Sequence, residues 1–522
     1  MKTSIPSLLK KIIFFGLATI PLLGFGQAPN IEWQNALGGT SSDYPTGVQQ
    51  TTDGGYIMGG ITFSNDGDVT GSHGLFEFWI VKLHNTGILS WQKALGGTGS
   101  DLCYGIEQTA DGGYIAVGWS NSNDGNVGGN HGNYDYWAVK LDDVGNIQWE
   151  TNLGGSGTDQ ALDVSETVNG DYIIVGNSNS NDGDVGGNNG NQDFWVVKLD
   201  PSGGIVWEKN YGGSDLEVAK NIEQTADGGF IVAGYTRSND IDVSGNHGAE
   251  DFWVIKISNT GVLQWQKTLG GSAEDQAFNV GQTSDGKYMV TGYSSSTDGD
   301  VTNNHGMKDI WIVKLDTNGA VLWQKTFGGS NDEWGYGAVH TSDGVNLIVG
   351  ASNSSNGDVG GNFGESDTWI VRIDNSGTLL WEKNIGGSLS EYGNAIDKTT
   401  DGGYIIASEA NSNDGDVSGN HGSSDFWAVK LQPDPLAVSN FNSPALALYP
   451  NPATDFITLQ LPQDATYNIE IKNSLGQNIF QDEQNHKKIT LKLPSGIKSG
   501  LYFVSITNKL THHIETVKLL VY

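Results

Sequence analysis

One cysteine, Cys103, stands in a chain of 522 residues, so no internal disulfide framework holds the fold. A lone thiol of this kind reads as a small buried side chain rather than a reactive group. Basic residues are also scarce: 27 Lys and Arg face 60 Asp and Glu, a formal net charge of −33. That balance excludes a nucleic-acid binder, which needs clustered cations against phosphate. Proline numbers only 12, and the long apolar run is confined to the start of the chain. There Lys2, Lys10 and Lys11 precede an apolar stretch from Ile12 to Gly26, shorter than a bilayer span, with small residues just before Gln27. Residues 1–26 therefore read as a secretory signal peptide. Signatures of catalysis are missing as well. No H-E-x-x-H or G-x-S-x-G occurs, and "GQTSDGKY" at Gly281 has Tyr288 where a phosphate loop needs Ser or Thr.

Glycine (75) and tryptophan (16) are abundant, and they recur in a strict pattern. "W-[QE]-x-x-x-G-G" begins at Trp33, Trp91, Trp149, Trp207, Trp265, Trp323 and Trp381, each step being 58 residues. A second tryptophan, in "W-[IVA]-[VI]-[KR]-[LI]", keeps the same step from Trp79 to Trp427. Fixed periods of this size mean stacked copies of one supersecondary unit. Each copy has four strand-like runs, and "TTDGGY" at Thr51 and its equivalents carry the Asp-Gly signature of a tight hairpin. Four antiparallel strands make a propeller blade. The array opens on a fourth strand, "IEWQNAL", and closes on a third, "DFWAVKL". A ring gains closure from that offset, because the first segment completes the last blade and removes an exposed edge. The expected fold is all-β: a seven-bladed β-propeller over residues 27–431, a linker over 432–445, and a small Ig-like β-sandwich over 446–522.

The strand order puts the blade-to-blade link and the long second-to-third link on one face. Acids fall there in columns. Asp66, Asp124, Asp182, Asp240, Asp298 and Asp414 form one; Asp68, Asp184, Asp242, Asp300, Asp358 and Asp416 form another. Two more run from Glu77 to Asp425 ahead of the third strand and from Asp43 to Glu391 at the end of the blade link. Carboxylates in glycine-rich loops suit calcium, which takes several oxygen ligands. The competing reading is turn chemistry, in which Asp caps its own loop and Gly supplies positive φ. The His column, His73 to His421, reads as loop hydrogen-bonders, since zinc needs tighter clusters. The basic column Lys82, Lys140, Lys198, Lys256, Lys314, Arg372 and Lys430 lies in the buried third strand, so each is expected to pair with an acid.

Residues that break the sevenfold pattern are the better markers of function. Trp119, Tyr235 and Tyr293 end second strands, and Trp334, Tyr44 and Tyr392 open first strands, all on the acidic face. Aromatic faces beside carboxylates suit sugar rings, by stacking and hydroxyl hydrogen bonds. Packing between blades is the alternative.

The last 77 residues carry no Trp and are almost neutral. "YPNPATD" at Tyr449, "SLGQ" at Ser474, "SGLYFVSI" at Ser499 and the terminal "VKLLVY" resemble the C-terminal sorting domain (type A, Por) of the type IX secretion system of Bacteroidota. The resemblance implies export across both membranes, contact with the type IX machinery, and release or attachment at the cell surface. The blades resemble Gly/Trp-rich propeller repeats of secreted proteins of those bacteria, a likeness of fold and not of activity. The expected product is a non-enzymatic exported propeller that binds glycan or a surface partner through the acidic face, with calcium a candidate cofactor. A polysaccharide-active enzyme such as a glycoside hydrolase is the second reading, and a structural spacer or adhesin the third.

Overall fold

The computed structural model describes residues 27–341, 343–434, 447–461, 466–473, 476–509 and 514–522. The expected signal peptide, most of the expected linker and Ser474 of the "SLGQ" turn lie outside them. The chain divides into two compact units, Met1–Pro435 and Leu436–Tyr522.

The first unit consists of seven four-stranded antiparallel sheets. In the first blade the strands Asp43–Gln50, Tyr56–Thr62, Glu77–Leu83 and Leu89–Leu95 pair in chain order. The next five blades repeat this order. The seventh takes its outer strand from the other end of the chain: Ile31–Leu37 pairs with Asp425–Leu431, Trp33 facing Lys430 and Ala36 facing Trp427. The Trp427 indole N–H donates to Gln34 Oε1 at 2.6 Å. The propeller is therefore closed by its N-terminal strand, and its inner strands are the first of each blade.

The third strands form the core because they are apolar on both faces. Trp79, Trp137, Trp195, Trp253, Trp311, Trp369 and Trp427 are fully buried. Most of them meet an aromatic from the adjoining blade, as Trp137 does Phe78 at 4.5 Å and Trp79 does Phe426 at 4.5 Å. The second of these contacts joins the last blade to the first. Burial of each ring contributes about 2–3 kcal/mol. Each indole N–H that lands on an outer-strand acceptor, such as Gln92 Oε1 at 2.9 Å from Trp79, avoids an orphaned donor.

The basic column pairs as expected. Lys82 bonds Asp53 at 2.9 Å, Lys140 bonds Asp111 at 3.0 Å and Lys256 bonds Asp227 at 3.1 Å, each acid coming from the hairpin of the same blade. Arg372 differs: its carboxylate is Asp434, at 3.1 Å, just beyond the last blade strand.

The tail unit has a three-stranded and a four-stranded sheet, packed as a β-sandwich on Ile457, Leu459, Ile469, Ile471, Val504, Ile506 and Leu519. Alternation along Tyr467–Asn473 puts Tyr467, Ile469 and Ile471 inward.

Candidate functional site: the mouth of the central channel

Two of the four acid columns are not on a surface. Asp43, Asp425 and their equivalents in every blade are 0% exposed. They are drawn inward because the blade link needs acceptors: Asp43 receives the Gly39 N–H at 2.9 Å and the Ser64 hydroxyl at 2.9 Å. Asp425 of the preceding blade receives the His421 N–H at 2.8 Å and its ring Nδ1 at 2.7 Å. The two carboxylates converge on Gly38. A Cβ there would lie 2.6 Å from Asp425 Oδ1 and 2.6 Å from Asp43 Oδ2, so the first glycine of each G-G pair is a steric requirement. The expectation that these columns crowd the face is thus corrected: they are structural ties inside the blade junctions.

The other two columns do lie in the face loops, and each side chain is already engaged. Asp66 accepts from the Thr40 N–H at 2.7 Å and its hydroxyl at 2.8 Å, which holds its carboxyl below the usual range. Asp124, Asp182, Asp240, Asp298 and Asp414 accept from the equivalent N–H at 2.7 to 2.8 Å. Asp68 receives the Gly38 N–H at 3.3 Å, and Asp184, Asp242, Asp300, Asp358 and Asp416 repeat the contact. Gly67 (φ +64°) lets the loop press against the link, since a Cβ would sit 2.3 Å from the Gly38 carbonyl. Among the described residues, no group of three or more His, Cys, Asp or Glu is placed to hold a metal ion.

The channel is where the blades stop being alike. Every inner strand breaks its ladder with a one-residue shift, between Pro45 and Gly47 in the first blade and between Ala219 and Asn221 in the fourth. A bulge re-aims the extra residue. Here the extra residues are Thr46, Tyr104, Leu162, Lys220, Phe278, Tyr336 and Asn394, and all seven line one cavity of about 490 Å³ at the centre of the ring. The repeat conserves the bulge and varies the side chain.

The aromatic candidates surround this ring. Trp119 stacks on Tyr104 (6.2 Å, 19° between planes) and meets Tyr134 edge-on at 4.7 Å. Trp119 and Tyr235 line an adjoining pocket of about 250 Å³ that shares Tyr104, Leu162 and Lys220 with the central cavity. Tyr44 lines the central cavity, and Trp334 lies 6.5 Å from Tyr392. Tyr293 is placed differently. It is 5% exposed, against Phe278 and beneath Lys308 Nζ at 4.2 Å, so its ring face is taken.

Deeper in, toward the hairpin face, a second cavity of about 350 Å³ is lined by Glu107, Asp163, Glu223 and Asp397 together with His340. Burial pushes Glu107 up to about 8 and both Asp163 and Glu223 up to about 7. These acids have a structural task. Inner strands of neighbouring blades do not pair, so their N–H groups need other acceptors. Asp163 takes the Ile222 N–H at 2.9 Å, Glu107 takes that of Glu166 at 2.8 Å and Asp397 takes that of Gln50 at 2.9 Å. Sequence reading missed both inner rings. The signal available was the variable position four residues into each first strand, read as T, Y, L, K, F, Y, N down the blades.

Fold and site together define an exported seven-bladed β-propeller with a carboxy-terminal sorting domain. Residues 447–521 match the family model of the secretion system C-terminal sorting domain. The tail is the type IX sorting domain, and it addresses the chain to secretion or attachment at the outer surface. No helix among the described residues is long and apolar enough to cross a membrane. Among curated proteins, the ulvan lyase NLR42 of Nonlabens ulvanivorans is 26% identical over 223 residues, 38% of this chain and 38% of that protein. Among solved structures, the WD40 domain of Neurospora crassa Pan2 aligns with a TM-score of 0.42 and 11% identity, over 77% of this chain and 96% of that one. PorZ, a surface component of the type IX secretion system of Porphyromonas gingivalis, aligns with a TM-score of 0.22 and 11% identity, over 97% and 88% respectively.

Proposed function

We propose that the propeller is a glycan-binding module working outside the cell, and that it holds its ligand at the channel mouth rather than on the acidic loops. The observation that supports this is the bulge ring: Tyr104, Phe278 and Tyr336 project into a cavity of about 490 Å³, with Trp119 and Tyr235 at its margin. Half-buried aromatic faces beside amide and hydroxyl groups such as Asn394 and Thr46 offer both stacking and hydrogen bonds to a sugar. The face loops support the ring from outside, their Asp side chains spent on turns. Calorimetry against an array-selected oligosaccharide is the test. Trp119→Ala is expected to weaken binding about tenfold or more while leaving the far-ultraviolet spectrum unchanged. Unaltered affinity in both Trp119→Ala and Tyr336→Ala sinks the proposal. Calcium belongs to the same experiment, since equal affinity and equal Tm in calcium and in chelator remove it.

A second reading, a polysaccharide-active enzyme, draws support from one observation. Asp163 at about 7 and Lys220, lowered by burial to about 8, line the same cavity, and both values suit proton transfer near neutral pH. The Nonlabens relative, an ulvan lyase alike over 38% of each chain, is consistent with this reading. Release of new chain ends from a bound polysaccharide, lost in Lys220→Met, is the result that favours the enzyme.

A further inference from the structure

Lys220 is the one cation in the bulge ring, and its surroundings differ from those of every third-strand Lys. Each of those has a carboxylate within salt-bridge distance, from Lys82 with Asp53 to Lys430 with Asp401, both at 2.9 Å. Lys220 forms no ion pair and no hydrogen bond among the described residues. Its ammonium lies 5.4 Å from the Phe278 ring and 5.9 Å from the Tyr235 ring, at the point where the central cavity meets the pocket of Trp119. The acids nearby are committed elsewhere. Asp163 Oδ2 is held by Asn221 Nδ2 at 2.7 Å and by the Ile222 N–H at 2.9 Å. Glu250 Oε1 is held by the Arg237 fork, Nε at 2.9 Å and Nη2 at 2.5 Å, and its Oε2 by Gln276.

An ammonium set between aromatic rings with no carboxylate in salt-bridge contact, Glu250 acting on it only from a distance, is costly, and the cost is recovered when an anion arrives. From this placement we infer that the ligand of the mouth is an acidic polysaccharide, whose carboxylate or sulfate group docks on Lys220 while a neighbouring sugar ring lies on Trp119 or Tyr235. The inference rests on the glycan reading and names its ligand class. The net charge of the chain does not oppose it. Exposed loop acids more than a Debye length away, about 8 Å at physiological salt, are screened, whereas a cation inside a cavity is not.

The test uses the mature protein and three sets of short oligosaccharides: carboxylated (oligogalacturonate), sulfated (carrageenan fragments) and neutral (cello-oligosaccharides). Affinities are measured by calorimetry at two salt concentrations. The expected result is a preference of about tenfold or more for one acidic set over the neutral set, weakening as salt rises. Lys220→Met is expected to erase that margin and its salt dependence, and Lys220→Arg to keep most of it. Which acidic set binds identifies carboxylate or sulfate as the anchor. Equal binding of acidic and neutral sugars, or a preference that survives in Lys220→Met, overturns the inference and leaves the glycan reading standing. Binding of none of the three, with Tm unchanged among the variants, overturns both.

Discussion

Trp195 shows what a single repeated residue contributes. Its ring is fully buried, lies 4.5 Å from the Tyr136 ring of the preceding blade, accepts the Tyr136 hydroxyl on its carbonyl at 2.9 Å, and donates its N–H to Glu208 at 3.0 Å. Trp195→Ala removes the contact between two blades and leaves a cavity lined by rigid strands that cannot collapse. Urea unfolding is expected to show a loss of about 3–5 kcal/mol. A loss below ~1 kcal/mol means that the blades do not depend on this wedge. Such residues were legible in the sequence because sevenfold repetition marks them. Lys220 and Tyr336 were not. A bulge is a fault in pairing between two strands, and no residue type announces it. The variable column gains its meaning only from the ring, which places its seven members around one space.

Among elements, the strand Ile31–Leu37 carries the most consequence per residue. It supplies the outer edge of the seventh blade, where Gln432 also donates to the Asn30 carbonyl at 2.9 Å. Deleting residues 27–37 exposes the edge of Asp425–Leu431, a buried apolar strand. The expected outcome is a lower Tm and association into higher-order species by size-exclusion chromatography, since bare edges pair with other chains. A monomer of unchanged Tm refutes a closing role. This element was legible from the sequence, because the array starts on a fourth strand and ends on a third. The acid columns were legible only in part. Their register was visible, but whether a carboxylate points outward or folds under a link depends on where unpaired N–H groups fall. Asp66 and Asp43 answer that differently within one loop system.

For the molecule as a whole, burial sets the response to pH. Asp193 is pushed up to about 7, and Asp275 and Asp367 to about 6, by desolvation at the blade junctions, and the inner-ring acids rise in the same direction. In the unfolded chain these groups titrate near 4. The folded state therefore holds protons that the unfolded state has lost, and stability falls as pH rises from about 4 through 7 or 8. Asp53, Asp111 and Asp401, lowered to about 2, oppose this only below the unfolded range. The Tm is expected to be higher at pH 5 than at pH 8; the reverse order contradicts the buried-acid description. The tail acts at the same scale. Removal of Leu446–Tyr522 is expected to leave the protein in the periplasm, read by fractionation and immunoblot. Normal appearance of the truncated chain outside the cell contradicts a sorting role.

Hydrogen bonding between Gln34 and Trp427 spans 393 positions of sequence. The outer strand of the seventh blade is therefore supplied from the opposite end of the repeat array. Closure of the ring is thus a contact between the two ends of the repeat array, and it can form only when all seven blades are present.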